Sequence, residues 1–181
     1  MKRPGAASTI SFKTETDADS ANPEVKVEAK SPGAFQSVFD NYPGTYSGQN
    51  ALYMVAVSDL NTGAADKALD TFDRFLSEYP KNPLAPSAAL GKATALFNLN
   101  RTAESLQLLN QIEADYPNFK LMDVVVYEKA IRQEALDQWD EARTSYQLVI
   151  DRYPDSSWKT MSETALKKLD KKQTTGSGEA A

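Results

Sequence analysis

The stretch that decides the fold is ALDTFDRFLSEYP at residues 68–80, which returns as SLQLLNQIEADYP at 105–117 and as ARTSYQLVIDRYP at 142–154. The three copies align without a gap at a spacing of 37 residues, and each ends in Tyr-Pro. The same dipeptide stands one period earlier, at Tyr42-Pro43. Periods of roughly 20 to 50 residues are typical of proteins built from stacked repeats, so the period indicates a repeat architecture.

Four columns of matching side-chain size accompany the Tyr-Pro pairs. Large side chains stand eight and five residues before each Pro, and small ones stand twelve residues before Pro and twelve residues before that. The columns are Phe35, Phe72, Leu109 and Tyr146; Val38, Phe75, Ile112 and Val149; Ala68, Ser105 and Ala142; and Ala56, Ala93 and Ala130. The repeat therefore extends well beyond its Tyr-Pro marker.

These columns predict pairs of helices. Pro cannot continue a helix and disfavours helical geometry in the residue before it, so each Tyr-Pro is expected to end one helix. Apolar residues at helical spacing also predict a first helix in each unit, at about 49–60, 87–99 and 124–136. Gly63 provides backbone freedom in the first turn between helices, and Asp137 is expected to cap the helix that follows it. One hairpin cannot bury its apolar face alone, so we predict an all-α solenoid of seven or eight antiparallel helices without a sheet.

The small, aromatic and proline positions, at mutual spacings of 12, 4 and 8 residues, resemble the tetratricopeptide repeat (TPR), with about three extra residues after the Pro. The resemblance covers residues 34–170, as half a unit, three hairpins with 37-residue repeats and a closing helix. It departs from the family where a large aromatic residue is usual in the first helix, because Leu52, Ala89 and Val126 stand there instead.

Two of the junctions, YPGT at 42–45 and YPDS at 153–156, are similar to those of the bacterial cell-envelope branch of the family. That branch includes the outer-membrane-assembly lipoprotein, the periplasmic coordinator of the Tol-Pal system and the ancillary protein of the Sec translocon. The resemblance implies a non-enzymatic scaffold in an envelope assembly or quality-control complex.

Composition excludes most catalytic chemistry. The 181 residues contain no Cys and no His, which removes thiolate and imidazole metal ligands and every nucleophile that depends on Cys or His. The net charge of −5 does not favour nucleic-acid binding. Carboxylate pairs such as Glu134 with Asp137, or Asp140 with Glu141, leave a hydrolase open, although solvated faces and helix caps explain them more simply. We expect no catalytic residues, no metal and no cofactor.

The two ends of the chain differ from the repeats. Residues 1–33 are polar, balanced in charge and broken by Pro, and residues 171–181 are Lys-, Thr- and Gly-rich; both are expected to be flexible. No window is apolar enough for a membrane span, and the basic start is not followed by an apolar segment. The chain is thus expected to be cytoplasmic, or periplasmic or membrane-tethered if a signal or anchor preceded this N-terminus.

In TPR proteins the first helices of successive hairpins line a concave groove, and the resemblance places a binding strip there. The strip is mainly apolar and aromatic and holds no basic residue, which disfavours recognition of a partner's terminal carboxylate. Its predicted residues are Asn50, Tyr53, Val57, Leu60, Ser87, Leu90, Thr94, Phe97, Asn98, Val124, Tyr127, Ile131 and Glu134.

We expect this strip to receive a helix or extended segment of another protein. Two alternatives stay open at this point: several of these side chains simply pack between neighbouring first helices, or a second copy of the chain fills the groove or an open end of the solenoid.

Overall fold

The computed structural model describes residues 32–176, and this part of the chain folds into eight helices with no strand. The helices are α1 (Pro32–Asn41), α2 (Tyr46–Asn61), α3 (Ala65–Glu78), α4 (Ala85–Asn98), α5 (Thr102–Asp115), α6 (Met122–Ala135), α7 (Trp139–Arg152) and α8 (Lys159–Gly176). Each helix packs against the next one in the chain, and the short loops between them make neighbours antiparallel. The predicted all-α solenoid of helix hairpins is confirmed.

The Tyr-Pro pairs end helices as predicted. Helices α3, α5 and α7 each stop at the residue before Tyr79, Tyr116 or Tyr153. These three tyrosines share φ angles of −130°, −129° and −128°, outside the helical range, as expected for residues that precede Pro.

The turns inside the hairpins also repeat at 37 residues. Gly63, Asn100 and Asp137 have φ angles of 80°, 60° and 59°, in the left-handed region that commonly follows a helix C-terminus. The prediction that Asp137 caps α7 is wrong, because Asp137 instead ends the preceding α6 in this conformation. Its short polar side chain tolerates the left-handed region better than most.

The small and large columns form the core. Ala56, Ala93, Ala130 and their counterparts Ala68 and Ala142 have no exposed surface. At the crossing of α4 and α5, the hydroxyl of Ser105 donates a hydrogen bond to the carbonyl of Ala93 at 2.6 Å. Small side chains at both positions let the two helices of a hairpin come this close.

The first helices of the hairpins, α2, α4, α6 and α8, form the inner side of the solenoid. Helix α2 packs against α4, and Tyr127 of α6 reaches Met161 of α8. The second helices are spread apart: a cleft of about 210 Å³, with Leu76 and Leu108 on its walls, separates α3 from α5. First helices in contact and second helices apart give a curved stack, and we call the first helices the inner helices and α1, α3, α5 and α7 the outer helices.

The ends of the solenoid differ slightly from the sequence-based boundaries. Helix α1 begins at Pro32, and α8 continues to Gly176, six residues beyond the boundary at 170. Of the segments expected to be flexible, 1–33 and 171–181, residues 1–31 and 177–181 lie outside the described residues.

Candidate partner-binding surface

The thirteen predicted groove residues all lie on inner helices, but they differ in accessibility. Five of them are buried, namely Tyr53, Val57, Leu90, Thr94 and Val124. Seven are half-buried, namely Asn50, Leu60, Ser87, Phe97, Tyr127, Ile131 and Glu134, and Asn98 is exposed. The five buried residues pack between neighbouring helices, so they offer no accessible surface to a partner.

Tyr53 shows why the N-terminal part of the strip is closed. Its ring lies 6.1 Å from that of Phe72 and 5.9 Å from that of Phe75, measured between ring centroids. Burial raises the pKa of the Tyr53 phenol to about 12, although a hydrogen bond with Ser87 partly opposes this rise. Leu90, in the same column of the next hairpin, is completely buried. This column therefore forms core in the first two hairpins.

In the third hairpin, the residue in this column is accessible to solvent. Tyr127 is half-buried, and its ring stacks on Trp158 with centroids 4.6 Å apart. Its hydroxyl lies 3.8 Å from the sulfur of Met161, which is 53% exposed. Burial raises the pKa of the Tyr127 phenol, and the charge of Glu134 raises it further. The result is an accessible aromatic and thioether surface at the C-terminal end of the inner side.

Trp158 and Met161 are not among the residues predicted for the groove. Met161 stands 37 residues after Val124, however, so extending the groove columns by one more period would have found it.

A buried ion pair supports the middle of the surface. Arg132 donates to the carboxylate of Glu128, and both side chains are almost completely buried. Arg132 Nε also donates to the Ser105 hydroxyl at 3.2 Å, and the guanidinium lies 4.1 Å from the ring centroid of Phe97. Burial lowers the pKa of Arg132 to about 10. The half-buried Phe97 thus rests on a cation fixed in the core.

Sequence reasoning missed this pair. Two charged residues four apart on a helix usually indicate a solvated face, and nothing in the local pattern distinguishes a buried pair from an exposed one.

The carboxylates considered for hydrolysis lie in two different surroundings. Asp137, Asp140 and Glu141 are exposed around an open cleft of about 420 Å³ that Trp139 and Leu169 also line. Glu134 instead accepts a hydrogen bond from the Tyr146 hydroxyl at 3.0 Å. Burial, followed by the charge of Glu134, raises the pKa of that phenol.

The described residues were also searched for metal-ligand clusters and membrane-spanning helices. Within 32–176 no three acidic side chains converge in a way that would hold a metal ion, and the sequence supplies no His or Cys. None of the helices from α1 to α8 combines the length and apolar character needed to cross a bilayer.

Comparison with known proteins identifies the family of this chain. Residues 45–174, well over half of the chain, match the family described as YfiO, outer membrane lipoprotein. The chain belongs to the YfiO family of outer membrane lipoproteins. Membership in this family confirms the predicted relation to the envelope branch of TPR proteins. A search of curated proteins gives no match.

Solved structures with the same fold include MamA, residues 41 to the end, from Desulfovibrio magneticus RS-1. It shares 17% identity and a TM-score of 0.65 over 80% of this chain and 77% of its own. A double mutant, MamA RS-1 ArsTM, gives a TM-score of 0.64 at 17% identity, with the same coverage. A tetratricopeptide repeat protein from Parabacteroides merdae ATCC 43184 gives 0.62 at 15% identity, over 78% of this chain and 53% of its own. At such low identities these likenesses show the fold alone.

Fold and family together indicate a protein-interaction scaffold of the bacterial envelope. TPR-like proteins of this kind are typically not enzymes.

Proposed function

We propose that the inner surface from α4 to α8 binds a helix or an extended segment of another protein, in an assembly or quality-control complex of the bacterial envelope. The observation that carries this proposal is the set of accessible residues on these inner helices. It runs from Phe97 and Asn98 through Ile131 and Tyr127 to Met161. Because Tyr53 and Leu90 are buried, we limit the binding surface to the part of the predicted strip from Phe97 onward.

The chemistry of this surface suits a partner with apolar anchors. Aromatic residues commonly supply much of the binding energy of an interface when they become fully desolvated. Tyr127 and Phe97 are half-buried in the free chain, so a partner can remove their remaining surface from water. Few charges take part, since Glu134 is the only charged member of the thirteen-residue strip. Binding is therefore expected to depend weakly on salt.

Site-specific photocrosslinking in cells tests the position of the surface. Asn98 on α4 and Asn110 on α5 form a matched pair, because both are exposed asparagines, on an inner and an outer helix respectively. We expect a photoreactive amino acid at position 98 to give a defined protein adduct, identifiable by mass spectrometry, and the same residue at 110 to give none. The variant Ile131→Asp, which puts a charge on the apolar surface, should abolish the adduct from position 98. Equal adducts from both positions, or none from 98, would refute the proposal.

A further inference from the structure

The two ends of the solenoid are chemically different. Helix α8 is an inner helix that no outer helix follows among the described residues. Lys167 of α8 occupies the column that holds Ala56, Ala93 and Ala130 in the earlier inner helices. Glu163 occupies the column of the buried residues Leu52, Ala89 and Val126. Charged residues at these positions give the C-terminal end a polar surface of the kind that terminates repeat proteins.

The N-terminal end has no such polar surface. Helix α1 corresponds to an outer helix, but no inner helix of its own hairpin lies before it within 32–176. Phe35 and Val38 are half-buried, whereas their counterparts in the next hairpin, Phe72 and Phe75, have no exposed surface. The remaining counterparts in these two columns are at most 2% exposed. The difference marks a face of α1 that no other helix within 32–176 covers.

Tyr42 gives an independent indication at the same end. One period later, the hydroxyl of Tyr79 donates a hydrogen bond to the carbonyl of Pro43 in the preceding junction, at 3.0 Å. Tyr42 has no preceding junction among the described residues, and it is 57% exposed. Its aromatic ring thus adds to the apolar surface formed by Phe35 and Val38.

The 37-residue pattern of core columns does not continue in the sequence before α1. The positions 37 residues before Leu52 and Ala56 of α2 are Glu15 and Asp19. Pro23 also lies in the span that corresponds to α2. Two carboxylates and a Pro at these positions do not match the apolar columns of the later inner helices. The surface therefore suits a partner that comes from outside the repeat register of this chain.

We infer that the N-terminal end, made of Phe35, Val38 and Tyr42, pairs with the same surface of a second copy to form a closed twofold dimer. Charge favours this occupant. The whole chain carries a net charge of −5, but the ten residues of α1 contain one charged side chain, Asp40, which accepts a hydrogen bond from Gln36 at 2.7 Å. Two copies can meet at this nearly neutral face with little repulsion.

Contact between the two N-terminal ends uses the same surface of both copies, so it closes after two copies instead of continuing into a filament. This pairing leaves the surface from α4 to α8 open to another protein.

The oligomeric state of the full chain tests the inference. Analytical ultracentrifugation from about 1 to 200 µM should show a monomer–dimer equilibrium. Tyr42→Ser and Phe35→Ser should each raise the dimer dissociation constant about tenfold or more, because each removes an aromatic anchor. Met161→Ser, which removes a similarly exposed apolar side chain at the other end, should leave the constant unchanged. Circular dichroism of each variant verifies folding, and Tyr42→Ser is decisive if Phe35→Ser unfolds α1.

Crosslinking tests the orientation of the copies. Because the chain has no Cys, Ser37→Cys on α1 and Thr160→Cys on α8 introduce single thiols at exposed positions. A short bismaleimide should link two Ser37→Cys chains but neither two Thr160→Cys chains nor one of each. A chain that is monomeric throughout, whatever covers its N-terminal end, overturns the inference. A dimer that is insensitive to Tyr42→Ser, or one linked through position 160, overturns it as well.

Discussion

The contact between Phe72 and Gly91 provides a sharp test of how neighbouring hairpins fit together. Gly91 lies on α4, and a Cβ atom built there would lie 2.3 Å from Cζ of the Phe72 ring and 2.8 Å from both Cε atoms. One period later the pair is Leu109 and Glu128, a smaller side chain followed by a larger one. Each contact between neighbouring hairpins therefore pairs a larger side chain on one helix with a smaller one on the other.

The perturbation is Gly91→Ala, made in the parent and in Phe72→Leu. In the parent, the ring must move by about 1 Å to reach ordinary contact, and overpacking of this kind costs about 1–3 kcal/mol. The better helix propensity of Ala returns about 1 kcal/mol. Leu lacks the three ring atoms that cause the clash, so in Phe72→Leu the same substitution should stabilise the protein by up to about 1 kcal/mol. We expect a coupling free energy of about 1–3 kcal/mol between the two sites.

Urea unfolding of the four proteins, followed by circular dichroism, measures this coupling. Phe72→Leu alone should be destabilised by about 1–2 kcal/mol, because apolar volume is lost from a fully buried site. The reasoning is refuted if Gly91→Ala changes the free energy of unfolding equally in both backgrounds, since the ring would then not limit the space at position 91.

Two further predictions concern buried polar groups. The pKa of Tyr53 is raised to about 12, so the neutral phenol favours the folded state. Its contribution to the free energy of unfolding is fully present below about pH 10 and is lost between about pH 10 and 12. It amounts to up to about 3 kcal/mol. Urea unfolding at about pH 8 and pH 11.5 should therefore show a smaller loss of stability for Tyr53→Phe than for the parent, and equal losses would contradict the assignment. Arg132→Met leaves the Glu128 carboxylate buried without its cation and should cost about 3–5 kcal/mol, whereas the double change Glu128→Met with Arg132→Leu should recover most of the loss in thermal unfolding. A double variant no more stable than Arg132→Met would show that the pair stabilises the fold by more than mutual neutralisation.

The repeat architecture could be predicted because it depends on residues that allow few alternatives. A Pro preceded by Tyr stops a helix in any surroundings, and a small residue at a helix crossing is required wherever two helices approach closely. Ala56, Ala93 and Ala130 accordingly have no exposed surface. These constraints act within one hairpin, so they can be read from a single period.

The binding surface was harder to predict because it depends on contacts between hairpins. Tyr53 and Tyr127 share a column, yet Tyr53 is buried among the rings of Phe72 and Phe75, whereas Tyr127 stacks on Trp158 at the edge of the surface. Column position places a residue on the inner side but does not determine how closely the next inner helix approaches it. At the C-terminal end, α8 continues to Gly176, into the segment 171–181 whose composition is linker-like.

The aromatic residues of the proposed interface are already held by contacts in the free chain. Ordering a flexible side chain at an interface costs about 0.5–1.5 kcal/mol, and a residue already fixed in the free protein avoids most of that cost. Tyr127 is held between Trp158 and Met161, and Phe97 rests on the guanidinium of the buried Arg132. Both aromatic residues still have surface to lose to a partner, and both are already fixed by contacts on their other side. In the proposed interface, the guanidinium of the buried ion pair supports the Phe97 ring from the side of the core.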